Sequence, residues 1–164
     1  MSDLNSKLKK IKLLLTDVDG VLTDTGVYYS ASGEELKRFS LRDGMGVERL
    51  RKIAKVKTGI ISGEKSFLVR KRADKLDLEE VYLGIKIKIK TLKSIMKSNE
   101  LEAEEIAFIG DDVNDLEILE AVGVSACPSD AMKDVKKIVD IVLENKGGHG
   151  AFREFAEIII EAKS

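Results

Sequence analysis

The sequence predicts an α/β fold: a Rossmann-like, doubly wound, mostly parallel sheet with helices on both faces and one small β-hairpin insertion. Three observations predict it. Apolar runs of strand length alternate with stretches of helical period along nearly the whole chain. The runs are close to continuously apolar, as strands covered on both faces are. Residues with chemistry to offer fall at or just past the ends of several runs, the edge where open α/β sheets place their ligands.

The elements follow in order. Met1–Lys10 is polar and reads as a short ragged leader, which leaves residues 11–164 as a single domain. Ile11–Leu15, with Lys12 inside it, is the first strand and runs into Asp17, Asp19 and a turn at Gly20. Gly26–Ser30 and Glu35–Phe39, joined through Ala31-Ser32-Gly33-Glu34, form the hairpin. Val47, Leu50, Ile53 and Ala54 share a helix face, with Gly44 and Gly46 weakening its first turn. Residues 57–61 make a second strand that ends in Ser62-Gly63, and a basic helix follows over residues 66–76. Val81–Gly84 is a third strand, and residues 90–98 a helix carrying Leu92, Ile95 and Met96.

Ile106–Ile109 is a fourth strand, ending in Gly110-Asp111-Asp112. Leu116, Leu119, Ala121 and Val122 line the next helix, closed by Gly123. Val124–Cys127 is a fifth strand, stopped by Pro128; Ser129 or Asp130 can cap a short helix to Lys137. Residues 138–143 are a last strand, Gly147–Gly150 a flexible break, and residues 151–162 a terminal helix.

Composition narrows the function. A chain of 164 residues can bury a sizeable core as one domain. A net charge of −1, with 35% of residues charged, supplies no field for nucleic acid. Trp is absent and aromatics are 5%, which argues against a base-stacking platform. No run is long enough to span a bilayer, and no signal peptide follows Met1. The single Cys127 excludes an internal disulfide and suits a reducing cytoplasm. With no partner residue nearby, it reads as a small buried side chain.

Asp17 and Asp19 are aimed by a buried strand at one point, where they repel each other unless a cation or shared proton intervenes. Mg²⁺ is the economical answer. In a parallel sheet they share an edge with Ser62, Lys88, and the group Asp111, Asp112 and Asp115. Converging acids, a hydroxyl and an ammonium make a site for a metal and a phosphoryl group. One carboxylate is free to attack phosphorus, giving an aspartyl-phosphate. A second can give a proton to the leaving alcohol and later take one from water. Lys86 and Lys90 compete with Lys88 for the cationic role.

Asp17-Val18-Asp19-Gly20-Val21-Leu22-Thr23 resembles the first motif of haloacid-dehalogenase-like (HAD) phosphatases. Ile61-Ser62-Gly63 is similar to their second, Lys88 to their third, and Gly110-Asp111-Asp112-Val113-Asn114-Asp115 to their fourth. The resemblance implies that Asp17 is the nucleophile and Asp19 the general acid/base. It implies that Ser62 with Gly63 holds phosphate and that Lys88, by its spacing from Gly84, pairs with it. Mg²⁺ would be held by Asp17, Asp111 and the backbone carbonyl of Asp19, with Asp112 and Asp115 in support.

The hairpin, Arg42-Asp43-Gly44-Met45-Gly46 and Gly147-Gly148-His149-Gly150-Ala151-Phe152-Arg153-Glu154 resemble the 3-deoxy-manno-octulosonate 8-phosphate phosphatase group. That likeness implies an HAD fold with no cap domain and a homotetramer with shared active sites. His149 occupies the variable position of the glycine motif and reads as a loop residue; Arg153 is the better candidate for a substrate or interface contact. The group continues its second motif as Ser-Gly-Arg-Asp, whereas this chain has Ser62-Gly63-Glu64-Lys65-Ser66. Glu64, with Lys75 on the basic helix, resembles instead the branch acting on nine-carbon (KDN or N-acylneuraminate) 9-phosphates. The expectation is therefore a nine-carbon 2-keto-3-deoxy sugar acid phosphate, with octulosonate 8-phosphate as the alternative. Glu64, Lys75 and Arg153 are the expected specificity positions. A reading of another class is a phospho-accepting receiver domain, disfavoured by the Asp-Val-Asp spacing, the hairpin and the glycine tail.

Overall fold

The computed structural model describes residues 2–164. Six parallel strands form one sheet in the order β5-β4-β1-β6-β7-β8. They are β1 (Leu13–Thr16), β4 (Lys57–Ser62), β5 (Glu80–Leu83), β6 (Ile106–Ile109), β7 (Val124–Cys127) and β8 (Ile141–Val142). A separate antiparallel pair, β2 (Thr23–Ser30) and β3 (Gly33–Phe39), is the expected hairpin. The chain builds outward from β1 to β5 on one side, then crosses back to place β6 on the other. The ends of β1, β4 and β6 therefore surround the point where the winding reverses, and a crevice opens there.

The apolar runs work because strand side chains alternate between faces. Leu14, Ile60, Ala107 and Ile109 enter one core, with Phe152, Phe155, Ile159 and Leu50. Leu13, Leu15, Ile61, Ile106 and Phe108 enter the other, with Leu92, Ile95, Ile118 and Val135. The first core lies under α2 (Leu41–Arg49), α3 (Phe67–Lys75) and α7 (Ala151–Lys163). The second lies under α4 (Lys88–Asn99), α5 (Leu116–Ala121) and α6 (Lys133–Ile138). Ser40 and Ser66 start α2 and α3 by accepting backbone N–H groups of Arg42 and Val69.

Four expectations need correction. The polar start is not a ragged leader: Ser2–Lys10 form helix α1, and Met1 lies outside the described residues. Leu4 and Leu8, four residues apart, face the first core, with Leu8 buried; two leucines among charges are a weak signal that packing on α7 converts into a helix. Neither Ser129 nor Asp130 caps α6. Asp130 accepts instead from the N–H of Gly147, 3.0 Å away, and α6 starts after Met132. The last strand is two residues long, because Asp140 bends to accept from Ser125 N and Oγ rather than continuing the ladder. Finally, Gly147–Gly150 is no loose break: Gly147 and Gly148 are buried, Gly148 N donates to Val21 O at 2.8 Å, and Gly148 O accepts from Arg38 at 2.7 Å.

No described helix is long and apolar enough to cross a membrane. Cys127 is buried, and burial pushes its thiol up to about 11, which suits a packing role.

Candidate active site

Strand register sets the site. Thr16 pairs with Ile60 on one side and Ile109 on the other, so the residues following all three strands emerge side by side. Asp17 N–H extends the ladder by donating to Ile109 O at 3.0 Å. Asp17 is 6% exposed; one carboxylate oxygen accepts from Val18 N at 2.6 Å and the other faces Lys88 Nζ at 3.0 Å.

Lys88 opens α4 at the end of the β5 connection and is 3% exposed. Its ammonium donates to Asp115 at 2.6 Å and lies over the Phe108 ring. Lys86 and Lys90 are both exposed to solvent. Burial therefore sets Lys88, the lysine its spacing from Gly84 had favoured, apart from its rivals Lys86 and Lys90. Burial alone would lower the Lys88 pKa, but the carboxylates of Asp17 and Asp115 overcome it and raise it, so the ammonium stays charged.

Carboxylate oxygens of Asp17, Asp111 and Asp115 lie within 4.8 Å of one another. Asp115 has both oxygens engaged, one by Lys88 and the other by the N–H of Asp111 at 3.0 Å, so it orients its neighbours. Asp112 accepts from Val113 N and caps the short 113–115 turn. Burial, then Asp115, pushes the Asp17 carboxyl up to about 7. Burial, then Asp17 and Asp115, pushes that of Asp111 up to about 8. Three close carboxylates against one ammonium leave an excess of negative charge, and a divalent cation fits this hard-oxygen donor set.

Gly20 has a φ of +88° and no room for a side chain: a Cβ there would stand 1.9 Å from Asp111 Oδ2. Asp19 lies beyond this cluster. Its carboxylate accepts from Lys37 Nζ at 2.7 and 3.0 Å and from Thr23 Oγ1 at 3.4 Å.

Asp17, Asp19, Ser62, Gly63, Glu64, Asp111 and Asp112 share one cleft of about 220 Å³, with Thr25 and Asn114. Ser62 is buried at the end of β4 and its Oγ accepts from Glu64 N at 3.2 Å. Glu64 is an exposed rim residue. Two expected specificity residues are elsewhere in this chain. Lys75 is exposed at the far end of α3, about 12 Å along the helix from Phe67 near the cleft. Arg153 N–H donates to Asp43, and its guanidinium is paired with Glu157 at 2.6 Å on the α2–α7 surface. Neither the resemblance that suggested Lys75 nor the side-chain chemistry that suggested Arg153 fixes which helix end or face meets the cleft. His149 sits in the loop, as expected, with Nδ1 2.9 Å from Gly147 O.

Sequence reasoning missed Thr25, Asn114 and Lys37. Asn114 stood inside the fourth motif. Lys37 carried no local signal, because its partner is 18 residues away and only hairpin closure joins them.

A family model described as haloacid dehalogenase-like hydrolase matches residues 64–154, just over half of the chain. The 3-deoxy-D-manno-octulosonate 8-phosphate phosphatase of Haemophilus influenzae is 41% identical over 160 residues, covering 98% of this chain and 88% of that protein. The Escherichia coli K12 protein of the same name is 35% identical over 162 residues, covering 99% and 86%. A crystal structure of the Moraxella catarrhalis phosphatase, in complex with magnesium ion, phosphate ion and KDO, superimposes with a TM-score of 0.95 at 32% identity, covering 99% of this chain and 93% of that one.

Proposed function

The chain belongs to the haloacid dehalogenase-like hydrolases and is a phosphatase, and we propose that it uses Mg²⁺ to hydrolyse 3-deoxy-D-manno-octulosonate 8-phosphate through an aspartyl-phosphate. The observation that carries this reading is the convergence of Asp17, Asp111, Asp115 and Lys88 beneath one cleft whose rim is Ser62-Gly63-Glu64. The order of preference drawn from Glu64 is reversed. The relatives named above do not support the nine-carbon reading; each carries the name of a 3-deoxy-D-manno-octulosonate 8-phosphate phosphatase. The receiver-domain reading gives way to the family.

Asp17, Asp111 and the Asp19 carbonyl would hold Mg²⁺, which would supply positive charge to offset that of the phosphate oxygens. The chain's own residues do the rest. Ser62, Gly63 and Glu64 line the cleft that would take the phosphate, and Lys88 holds the Asp17 carboxylate at 3.0 Å. Asp17 Oδ forms a bond to phosphorus as the bond to the sugar oxygen breaks. Asp19 gives a proton to that oxygen, then takes one from the water that attacks the phosphoenzyme. Free phosphate leaves, and Asp17 and Asp19 return to their starting states.

Assembly is part of the proposal. The hairpin's cross-strand pair Tyr28 and Leu36 are 66% and 61% exposed, an apolar pair that a homotetramer would cover. Lys75 and Arg153 reach no residue of this chain's own cleft, so any share they take in specificity passes through a neighbour. The free Cys127 suits the cytoplasm.

The test is kcat/KM for octulosonate 8-phosphate and for a nine-carbon 9-phosphate, in the wild type and in Glu64→Arg. A wild-type preference for the eight-carbon substrate bears the proposal out. A preference for the nine-carbon substrate that Glu64→Arg reverses would restore the other branch.

A further inference from the structure

Lys37 is a buried cation outside every motif. It lies on β3, opposite Val27, and its side chain is 1% exposed. A buried ammonium is costly unless paired, and this one has two carboxylates. Asp19 takes it in a fork, at 2.7 and 3.0 Å, and Glu34 lies 3.6 Å away on the same strand. Glu34 is itself held, because Ser66, the cap of α3, donates its hydroxyl to it. A line of polar contacts thus runs from the acid/base carboxylate through the hairpin to the helix that follows Ser62-Gly63.

We propose that Lys37 is the positioning residue for Asp19 in proton transfer, with Glu34 as its standing counter-ion. The proposal rests on the reading of Asp17 as nucleophile and Asp19 as acid/base. Asp19 must alternate between carboxylic acid and carboxylate. When it carries the proton, Glu34 still pairs with Lys37, so the buried ammonium is never left alone. As the Asp17 oxygen bonds to phosphorus and the bond to the sugar oxygen breaks, the proton moves from Asp19 to the departing oxygen. The negative charge left on Asp19 appears where the Lys37 ammonium already stands, in an orientation that costs no reorganisation. In the second half-reaction the same fork holds the Asp19 carboxylate while it accepts a proton from water. The hydroxyl bonds to phosphorus as the Asp17 Oδ–phosphorus bond breaks, inorganic phosphate leaves, and the protonated Asp19 and the free Asp17 carboxylate are restored.

Leaving-group chemistry distinguishes this role from an ion pair that only ties the hairpin down. An alkoxide must be protonated as it departs, whereas p-nitrophenolate leaves without a proton. Because kcat/KM reports the steps up to release of the first product, it isolates the donation step. The experiment measures kcat/KM at saturating Mg²⁺ for an alkyl phosphate (the sugar phosphate) and for p-nitrophenyl phosphate. It compares wild type, Lys37→Met, Lys37→Arg, Glu34→Gln and Asp19→Asn, with thermal midpoints recorded for each. Lys37→Met should lower the alkyl value about tenfold or more and the aryl value less than about threefold. Lys37→Arg keeps charge and donors and should recover most of the selectivity. Glu34→Gln should give a smaller loss in the same direction, and it decides the matter where Lys37→Met does not fold. An equal fall on both substrates, or an unchanged ratio in Glu34→Gln, would overturn the proposal. An equal fall in Asp19→Asn would remove the acid assignment itself, and the role of Lys37 with it.

Discussion

Gly147 lies against Gly20 so closely that a Cβ on Gly147 would stand 1.9 Å from the Gly20 carbonyl oxygen. Gly20 in turn lies against the Asp111 carboxylate. The loop between Asp17 and Asp24 is therefore gripped between an expected metal ligand and the glycine tail. Gly147→Ala should push that loop toward Asp111, destabilise the fold by about 1–3 kcal/mol and weaken Mg²⁺ binding by about tenfold. Calorimetric titration with Mg²⁺ checks it, with Lys146→Ala, an exposed neighbour, as the control that should leave affinity unchanged. Wild-type affinity in Gly147→Ala would show that the contact yields without moving the site.

Lys88 is the only cation in reach of Asp17 and Asp115 among the ion pairs of the described residues. Lys88→Met should cost about 3–5 kcal/mol, since two buried carboxylates lose their partner, and it should abolish turnover. Urea unfolding in EDTA reads the first effect and phosphate release the second. A variant as stable as wild type would mean that the carboxylates satisfy one another by sharing a proton.

The metal-free site carries a pH signature. The carboxyls of Asp17 and Asp111 rise from 3.8 to about 7 and about 8 in the folded protein. Both hold protons more tightly folded than unfolded. Their stabilising contribution is full below the unfolded value and is lost as pH rises through the folded values. Between about pH 5 and about pH 8, wild type in EDTA should lose stability with rising pH more steeply than Asp111→Asn. Mg²⁺ should flatten the difference, because it replaces the protons. Parallel curves for the two proteins in EDTA would contradict the burial that raises these groups.

The strands and the convergence of their ends were legible in the sequence because continuous apolar runs admit few other readings. Asp17, Ser62 and Asp111 emerge together for the same reason: register fixes them once the strands are parallel. Side-chain direction was not legible. Lys86, Lys88 and Lys90 are equivalent by composition; spacing from Gly84 favoured Lys88 by resemblance, and burial at the start of α4 gives the physical reason. Lys37 was invisible because Asp19 comes from another element, and the distance of Lys75 from this chain's own cleft was not legible because it depends on which end of α3 meets the site. Helix α1 and the docked glycine tail were misread for a related cause: their order comes from tertiary contacts rather than from local pattern.

The hairpin's outer face makes a prediction about assembly. Tyr28 and Leu36 are cross-strand partners, both mostly exposed. Tyr28→Glu with Leu36→Glu should convert a tetramer into smaller species by light scattering. A wild-type protein that is monomeric and fully active would remove the shared-site reading.

The most direct measurement is phosphate release from 3-deoxy-D-manno-octulosonate 8-phosphate by wild type and Asp17→Asn, each with Mg²⁺ and with EDTA. Asp17→Asn loses both the nucleophile and a metal ligand. Release should occur only in the wild type with Mg²⁺. Wild-type rates in the Asp17→Asn protein, or in wild type stripped by EDTA, would contradict a metal-assisted aspartyl-phosphate at this site.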